Sequence, residues 1–225
     1  MGGKQVNTLV DTRQRIFRAA RSILLDEGAA ALSMRRIGRQ VGLTPAAIYR
    51  HYASKQELLD EIAIAGLQAL ESHLRPALDA ATPGGRVRRL TDGFLDFAME
   101  QPTYFDFVFL TPGVLRKPLT EELARPMWGT FRESVDQIEA CMARGDIRKD
   151  DPLLTAILIF SQVHGLVSLY RTKQIGPDPR EFRQLYRASV ERLLRSLRPA
   201  SRPHRTHPPV FPRRGKPVAT EGVNP

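Results

Sequence analysis

Cysteine and catalytic signatures are what this chain most lacks. Cys141 is the only cysteine among 225 residues, so neither an internal disulfide nor a zinc site built on several thiolates is possible, and we expect a buried, inert residue. The sequence has no phosphate-binding glycine loop, no dinucleotide-binding glycine pattern, no nucleophile elbow and no HExxH pair. These absences argue against an enzyme, and we expect neither a cofactor nor a metal ion.

Long apolar runs are also scarce, and the one exception is short for a membrane span. Residues 153–170 carry no charged side chain over 18 positions, which is the lower limit for a transmembrane helix. The run includes Gln162 and His164, so we expect a helix buried in a bundle or a subunit interface and no contact with a membrane. The first residues lack the apolar core of a signal peptide. We therefore predict a soluble, cytoplasmic protein.

Apolar residues recur at helical spacing, without convincing strand alternation. At residues 12–28 the positions Ile16, Ala20, Ile23 and Leu24 follow the i, i+3, i+4 pattern of one helix face. The arginines of this helix lie mostly off that face, and we interpret most of them as solvent-exposed; they are Arg13, Arg15, Arg18 and Arg21. The fold class predicted is all-α. Further helices are expected to begin at Ser33, at Thr44-Pro45 and at Ser54, and others to span about 86–100, 102–110, 119–144, 152–173 and 179–197.

Positive charge is concentrated at the two ends of the chain, whose formal net charge is +10. Residues 1–75 carry 11 Lys/Arg against 7 Asp/Glu, residues 76–197 are nearly balanced, and residues 198–225 carry 6 against 1. The last 28 residues also hold 7 prolines and few apolar groups, so we predict a disordered basic tail. Both a polyanionic partner and a merely basic surface are compatible with this distribution.

Acidic residues are absent from Ser33 to Lys55, where five Lys/Arg residues occur. The segment has the pattern of two short helices: Ser33 caps the first, Gly42 ends it, and Thr44-Pro45 begins the second. A helix-turn-helix needs this arrangement to lie against DNA phosphates and to place its second helix in a groove. The segment therefore predicts a DNA-binding element.

The side chains of this element suit contacts with a duplex. Ser33 and Thr44 offer hydroxyl groups and free backbone N–H groups at helix N-termini to phosphate oxygens. Pro45, Ala46 and Ala47 are small and permit close approach to base edges, where an alanine methyl can contact a thymine methyl. Further candidates for base or phosphate contacts are Arg35, Tyr49, Arg50, His51 and Lys55.

Ordinary alternatives stay open for several of these residues. Tyr49 can be a core aromatic instead of a DNA contact, and His51 an ordinary surface histidine. Arg36 and Arg39 fit general solvation better than a specific contact. The ordered combination of cap, turn, small residues and basic residues carries the prediction, more than any single member.

The stretch LSMRRIGRQVGLTPAAIYRHYASKQELLD resembles the DNA-binding domain of the TetR family of transcriptional regulators. The resemblance covers about residues 10–70 and includes the turn from Gly42 to Pro45. One departure is Gly38, where the family usually has alanine; we expect it to cost a little helix propensity and to add no clash. The resemblance implies DNA-contacting roles for Ser33, Arg35, Thr44, Pro45, Ala46, Ala47, Tyr49, His51 and Lys55.

The resemblance also implies a domain organisation. We expect an N-terminal three-helix helix-turn-helix DNA-binding domain at 10–70, a helical ligand-binding and dimerisation domain at 71–197, and the basic tail at 198–225. QPTYFDFVFL (101–110) and VHGLVSLY (163–170) resemble the subgroup with a Trp/His-Gly signature, although Phe160 stands ahead of the His-Gly pair instead of the usual tryptophan.

Aromatic residues of the second domain are candidates for a ligand cavity between helices. For each of them core packing is the alternative. The helices at 152–173 and 179–197 are candidates for a four-helix dimer interface. The candidate ligand contacts are Tyr104, Phe105, Phe109, Trp128 and His164.

These features predict a ligand-responsive repressor that binds a palindromic operator in double-stranded DNA as a homodimer and responds to a small apolar effector. The alternative is a nonspecific nucleic-acid-binding protein that uses its basic tail. An all-helical enzyme is a third class, for which the sequence offers no catalytic motif.

Overall fold

The computed structural model describes residues 2–114, 129–176 and 178–199, and says nothing of the side chains of residues 2–10 and 130. Every regular element in these ranges is helical, which confirms the predicted all-α fold class. Trp128, residues 119–128 of a predicted helix and nearly all of the predicted tail lie outside the described residues. The α-helices are α1 (Gly2–Glu27), α2 (Met34–Val41), α3 (Pro45–Tyr49), α4 (Lys55–Leu74), α5 (Pro83–Glu100), α6 (Pro102–Phe105), α7 (Gly129–Arg144), α8 (Pro152–Arg171) and α9 (Pro179–Ser196).

Helices α2 and α3 begin where their capping residues predict. Ser33 Oγ accepts a 3.2 Å hydrogen bond from the Arg36 N–H, and Thr44 Oγ1 accepts one of 3.1 Å from the Ala47 N–H. Gly42 ends α2 in the left-handed region, with φ 71°. Helix α1 is longer than predicted, because it starts at Gly2 and not near residue 12.

The core of the N-terminal bundle is formed by residues that lie on the inner faces of four helices. Ile16 and Leu24 of α1, Ile48 of α3, Tyr52 after it, and Leu58 of α4 are at most 1% exposed. Burying several large apolar side chains on one short helical bundle supplies most of its stability. The inward positions predicted for Ile48 and Tyr52 are confirmed.

Gly38 allows α2 to approach the following turn more closely than any other residue would. A Cβ atom at this position would lie 2.4 Å from the carbonyl oxygen of Leu43, and the Leu43 N–H donates a 2.9 Å hydrogen bond back to the Gly38 carbonyl. Glycine therefore adds no clash here, as expected, whereas a side chain would require the backbone of the turn to shift.

Helix α4 joins the N-terminal bundle to the rest of the molecule without a break. Ser54 caps it by accepting a 3.1 Å hydrogen bond from the Glu57 N–H, and Glu57 Oε2 accepts one of 2.6 Å from the Ala53 N–H. Its second half packs against α5. In α4, Gly66 lets the segment that contains Val108 approach closely, because a Cβ atom at residue 66 would lie 2.8 Å from Val108 Cγ2.

The predicted helix at 102–110 is divided into two parts. Residues Pro102–Phe105 form a short α-helix, and Asp106–Leu110 continue it as a π-helical turn. Arg171 of α8 donates two hydrogen bonds to the Asp106 carboxylate, of 2.9 and 2.6 Å. This segment is therefore held between α4 and α8.

The last two helices pack against α5. Tyr186 of α9 is fully buried, and its hydroxyl donates a 2.6 Å hydrogen bond to the Thr91 carbonyl of α5. Ion pairs of Arg183 with Asp96 and of Arg187 with Asp92 run beside it. Cys141 of α7 is buried, as predicted.

Helix α8 is apolar on more sides than the described residues cover. Judged by length and composition alone, it is the one described helix that could cross a membrane, a test that the core helix of a soluble protein also passes. Ile159 and Val167 are buried, whereas Leu158 is 45% and Leu169 is 40% exposed. One side of α8 therefore packs within the chain and another presents leucines at the surface.

Candidate nucleic-acid interface and apolar cavity

The outer side of α3 is open to solvent. Pro45, Ala46 and Tyr49 are exposed, Ala47 is half-buried, and only Ile48 of this helix is buried. Tyr49 is 49% exposed, because the core position beside Ile48 is filled by Tyr52. Of the two alternatives for Tyr49, the structure therefore favours a surface residue that can reach a ligand.

The basic residues around this face differ in whether an acid neutralises them. Arg36 forms an ion pair with Glu27. Within the described residues no such pair involves Arg35, Arg39, Arg50 or Lys55, all of which are exposed. Uncompensated charge at a surface attracts phosphates more strongly than paired charge does. The face beside α3 thus carries several cations available to an anionic partner.

The hydroxyls of Ser33 and Thr44 remain usable by a ligand. Each oxygen accepts one hydrogen bond from its own helix, and each O–H can still donate to another acceptor. Both residues are exposed, and the first N–H groups of α2 and α3 lie beside them. Predicted phosphate contacts at these two positions are therefore sterically accessible; His51 is half-buried and Lys55 is exposed.

Arg13 is a residue of this region whose role the sequence did not reveal. We call Arg13, Tyr52, Glu57 and Glu61, with the carbonyl group of His51, the Arg13 cluster. The guanidinium donates to the His51 carbonyl and to the Glu57 and Glu61 carboxylates, and its central carbon lies 4.0 Å from the Tyr52 ring centroid. Arg13 is only half-buried, but its partners come from α4 and from the segment that follows α3, and no local sequence pattern indicates them.

The electrostatics of the Arg13 cluster favour its charged form. Burial acts to lower the pKa of Arg13, but hydrogen bonds to Glu57 and Glu61 raise it overall. The Ala53 N–H and then Arg13 lower the pKa of Glu57. Burial and then the Glu61 carboxylate raise the pKa of Tyr52, which keeps its ring neutral. A cation over a neutral ring and beside two anions is a stable arrangement.

An apolar cavity of about 90 Å³ lies between α4, α5, α7 and α8. The rings of Phe94, Phe131 and Phe160 form its aromatic wall, with centroids 5.8 Å apart for Phe94–Phe160 and for Phe131–Phe160. The hydroxyls of Thr91 and Ser134 donate to the backbone carbonyls of Arg88 and Phe131. Because both hydroxyl protons are already donated to backbone carbonyls, the two oxygens can only accept a hydrogen bond from a ligand.

Glu71 is the only ionisable residue among the described ones that line this cavity. Its carboxylate is paired with Arg75 on the next helical turn. A charged ligand would find no opposite charge on these walls that is not already engaged, and burying an uncompensated charge is costly. The chemistry of the wall thus suits a neutral, mainly apolar compound.

Three of the predicted ligand contacts, Phe105, Phe109 and His164, lie near this cavity but do not line it. Phe105 and Phe109 pack on Phe94 behind the wall, with ring centroids 5.9 and 6.0 Å away. His164 packs 5.5 Å from Phe160, and burial lowers its pKa. Trp128 lies outside the described residues. The role of these residues in ligand binding stays a prediction.

Tyr104 lies apart from the other candidates. Its ring packs against Gly66 of α4, and its hydroxyl accepts a hydrogen bond from Arg21 of α1. It therefore connects α6 to the N-terminal bundle. The wall residues Phe94 and Phe131 were missed, because no local pattern marks which buried aromatic residue borders a void.

No group of three or more His, Cys, Asp or Glu residues suited to a metal ion occurs in the described part of the chain. The remaining chemistry of the site is that of exposed cations, helix N-termini and an apolar cavity. These features suit the binding of an anionic partner and of an apolar compound.

Two family profiles match the chain. The profile of bacterial regulatory proteins of the tetR family matches residues 16–62, and that of the tetracyclin repressor-like C-terminal domain matches residues 87–197. The second match includes most of α5 and all of α7 and α8, which are three of the four helices around the cavity. The resemblance of the C-terminal half to the Trp/His-Gly subgroup is not confirmed by it and stays a prediction.

Among curated proteins, the HTH-type transcriptional regulator Rv1816 of Mycobacterium tuberculosis (strain ATCC 25618 / H37Rv) is 30% identical over 155 residues. The alignment covers 66% of this chain and 65% of that protein. The chain thus spans slightly less than two thirds of the length of this relative.

Solved structures share the fold. A protein of unknown function from Rhodococcus sp. RHA1 has a TM-score of 0.68 and 23% identity, over 83% of this chain and 95% of that one. The TetR family transcriptional regulator PfmR from Thermus thermophilus has a TM-score of 0.59 and 22% identity, over 80% of this chain and 97% of that one.

Proposed function

This chain belongs to the tetR family of bacterial regulatory proteins, and from that premise we propose that it regulates transcription by binding DNA through α2 and α3. The observation that carries the proposal is the uncovered outer side of α3, flanked by cations without acidic partners among the described residues. The relatives are named as transcriptional regulators and not as enzymes, in agreement with the predicted absence of an enzymatic activity. The proposed location is the cytoplasm.

In the helix-turn-helix, we assign contacts with phosphates and contacts with bases to different residues. Ser33 and Thr44, at the N-termini of α2 and α3, bind phosphates and set the position of the protein on the duplex. Ala46, Ala47 and Tyr49 then face the base edges of the major groove. Pro45 shapes the first turn of α3, and the flanking side chains of Arg35, His51 and Lys55 complete the contacts.

The proposed assembly is a homodimer. Leu158 and Leu169 lie 11 residues apart in α8, about three helical turns, and so share one side of that helix. A second copy packed there would bury both leucines, and an exposed apolar side of this kind commonly marks an interface. A two-fold dimer would present two copies of α3 to a palindromic operator. The domains at 10–70 and 71–197 are proposed as its DNA-binding and dimerisation units.

The proposed effector is a small, neutral, apolar compound that occupies the cavity beside Phe94, Phe131 and Phe160. Thr91 and Ser134 offer it acceptor oxygens, so a single hydroxyl or N–H group on the compound could be satisfied. The effector would bind more tightly to the dimer whose two α3 helices have a spacing that does not fit the operator. Its binding would favour that dimer and so lower operator affinity, by at most the difference between its binding free energies for the two spacings. Repression relieved by the effector is the proposed mode of action.

The test begins with a duplex selected by the protein from a random-sequence pool. Binding of the wild type to this duplex and to a scrambled one of equal length is measured by electrophoretic shift at several salt concentrations. Tyr49→Ala should abolish the preference for the selected duplex. Lys55→Ala should weaken binding to both duplexes and reduce the salt dependence by about one phosphate contact.

Lys149→Ala is the matched control, because Lys149 is an exposed lysine in the turn between α7 and α8. It should leave both affinities nearly unchanged. Retention of sequence preference in Tyr49→Ala would contradict the proposal. Loss of all binding on deletion of residues 200–225 would favour the alternative of a nonspecific binder that uses its tail.

A further inference from the structure

Helix α3 has little of its own to hold it in place. It has five residues and buries only the side chain of Ile48, since its outer side must stay open for DNA. With one buried side chain as its anchor, α3 can rotate about the Ile48 contact with little resistance. The orientation of α3 therefore depends on what fixes the residues at its ends, and its C-terminal end is where the Arg13 cluster lies.

The Arg13 guanidinium reaches across from α1 to the end of α3 and the start of α4. It donates to the backbone carbonyl of His51, two residues beyond α3, and holds Glu57 Oε1 at 3.1 Å and Glu61 Oε2 at 2.8 Å. Glu57 and Glu61 lie on successive turns of α4. A planar cation with several donors in a fixed geometry is well suited to link three chain segments in one orientation.

Arg13 does not have the properties of a phosphate contact. Its charge is countered by two carboxylates, and its face is covered by the Tyr52 ring. Arg18, in the same helix, is exposed, and its described side-chain hydrogen bond goes to Gln14 of the same helix. Arg13 and Arg18 carry the same charge and lie on the same helix, but their partners differ. Arg18 is therefore a suitable control for Arg13.

We propose that Arg13 is a positioning residue for sequence-specific DNA recognition, which fixes the C-terminal end of α3 to the first turns of α4. This rests on the proposed function, because it assigns a role within the same DNA-binding site. Helix α4 also supplies Leu67, Leu70 and Leu74 to the wall of the cavity. The Arg13 cluster thus joins the recognition helix to the helix that an effector would contact.

The experiment uses two variants that change the net charge in opposite directions. Arg13→Gln removes the cation, and Glu61→Gln removes one of its anions. Simple attraction to DNA would be weakened by the first and strengthened by the second. The ratio of affinities for the selected and scrambled duplexes, measured on the full chain, separates positioning from simple attraction.

Both variants should lower this ratio. We expect Arg13→Gln to lower it about tenfold, as for loss of a hydrogen bond network to a charged group, and Glu61→Gln to lower it about threefold. Arg18→Gln, which loses the same charge as Arg13→Gln, should keep the wild-type ratio while binding the scrambled duplex as Arg13→Gln does. Far-UV circular dichroism should show unchanged helix content in all three variants.

Equal ratios for Arg13→Gln and Arg18→Gln would overturn the proposal. If Arg13→Gln does not fold, Glu61→Gln decides alone, since it leaves the Ser54 cap and the Arg13–Glu57 pair in place; an unchanged ratio in that variant overturns the proposal. A wild-type protein that shows no preference among duplexes would instead refute the proposed function on which the proposal rests.

Discussion

The carbonyl oxygen of Leu43 occupies the space that a side chain at Gly38 would need, because a Cβ atom there would lie only 2.4 Å from it. The neighbour is backbone within a turn that is itself closed by the Leu43 N–H bond to Gly38. Such an atom cannot move aside without opening the turn between α2 and α3. The position of α3 relative to α2 is therefore tied to the absence of a side chain at residue 38.

Gly38→Ala should lower the free energy of unfolding by about 1–3 kcal/mol, the usual cost of forcing extra atoms into a packed site. Urea denaturation followed by circular dichroism measures this change. Gly129→Ala is the control, because a Cβ there meets no described atom within 4 Å. Equal stability of the two variants would mean that the turn relaxes to admit a methyl group.

Leu158→Glu should convert the proposed dimer into a monomer. A carboxylate on the exposed side of α8 would have to be buried without a partner at the interface, which costs several kcal/mol. Sedimentation equilibrium at micromolar protein gives the mass directly, and operator affinity should fall with it. Leu153→Glu is the control, since Leu153 is also exposed but lies about 140° around the helix. A dimer that persists in Leu158→Glu would place the interface elsewhere.

Neutral and charged ring compounds of similar size should differ in whether they bind the cavity. Toluene and benzyl alcohol, which are neutral, should raise the melting temperature, whereas benzoate and benzylamine should not, because the described cavity walls offer no unengaged opposite charge. At ten times its Kd a bound compound adds about 1.4 kcal/mol to the stability.

Ala156→Leu should abolish this stabilisation by filling the cavity that Ala156 lines. Ala143→Leu, an equal change at an exposed position of α7, should leave it intact. Equal stabilisation by the neutral and charged compounds would contradict a neutral ligand class. Equal responses of the two leucine variants would show that the compounds bind at another site.

His164 should make stability depend on pH in the weakly acidic range. Burial lowers its pKa below the ordinary value of 6.5, so the unfolded chain takes up a proton at a higher pH than the folded protein does. The stability that comes from keeping His164 neutral is fully present above pH 6.5. It is lost as the pH falls from 6.5 towards the pKa of His164 in the folded protein. Wild type should thus lose more stability than His164→Gln between about pH 7.5 and about pH 5.5. Parallel unfolding curves for the two proteins would contradict this assignment.

Local patterns were sufficient for most helix starts and for the accessible side of α3. Ser33, Thr44 and Ser54 accept hydrogen bonds at the helix starts that they predict, because capping involves residues only three positions apart. Ile48 is buried and Ala46 exposed, as helical periodicity requires. The start of α1 was placed too late, since apolar periodicity fades before residue 12 while the backbone stays helical.

Contacts between distant segments could not be obtained in this way. Arg13 and Arg18 lie on the same helix, yet only Arg13 of the two meets described partners 38 to 48 positions away. Tyr104 and Phe105 are adjacent, buried aromatic residues, but the first packs on Gly66 and bonds to Arg21 while the second packs on Phe94. Neighbouring side chains in a helix point about 100° apart, and what each meets depends on how the helices are packed.

The sequence by itself determined that the chain is helical, where most helices begin, and that a basic, acid-free segment near the N-terminus presents small residues on a short helix. These properties follow from hydrogen bonds and periodicities within a few residues of one another. Only the tertiary structure decided that Gly38 must lack a side chain, that Arg13 joins three chain segments, and that Phe94, Phe131 and Phe160 border a cavity. Each of these depends on the distance between segments far apart in the chain, which is set by the packing of the whole bundle.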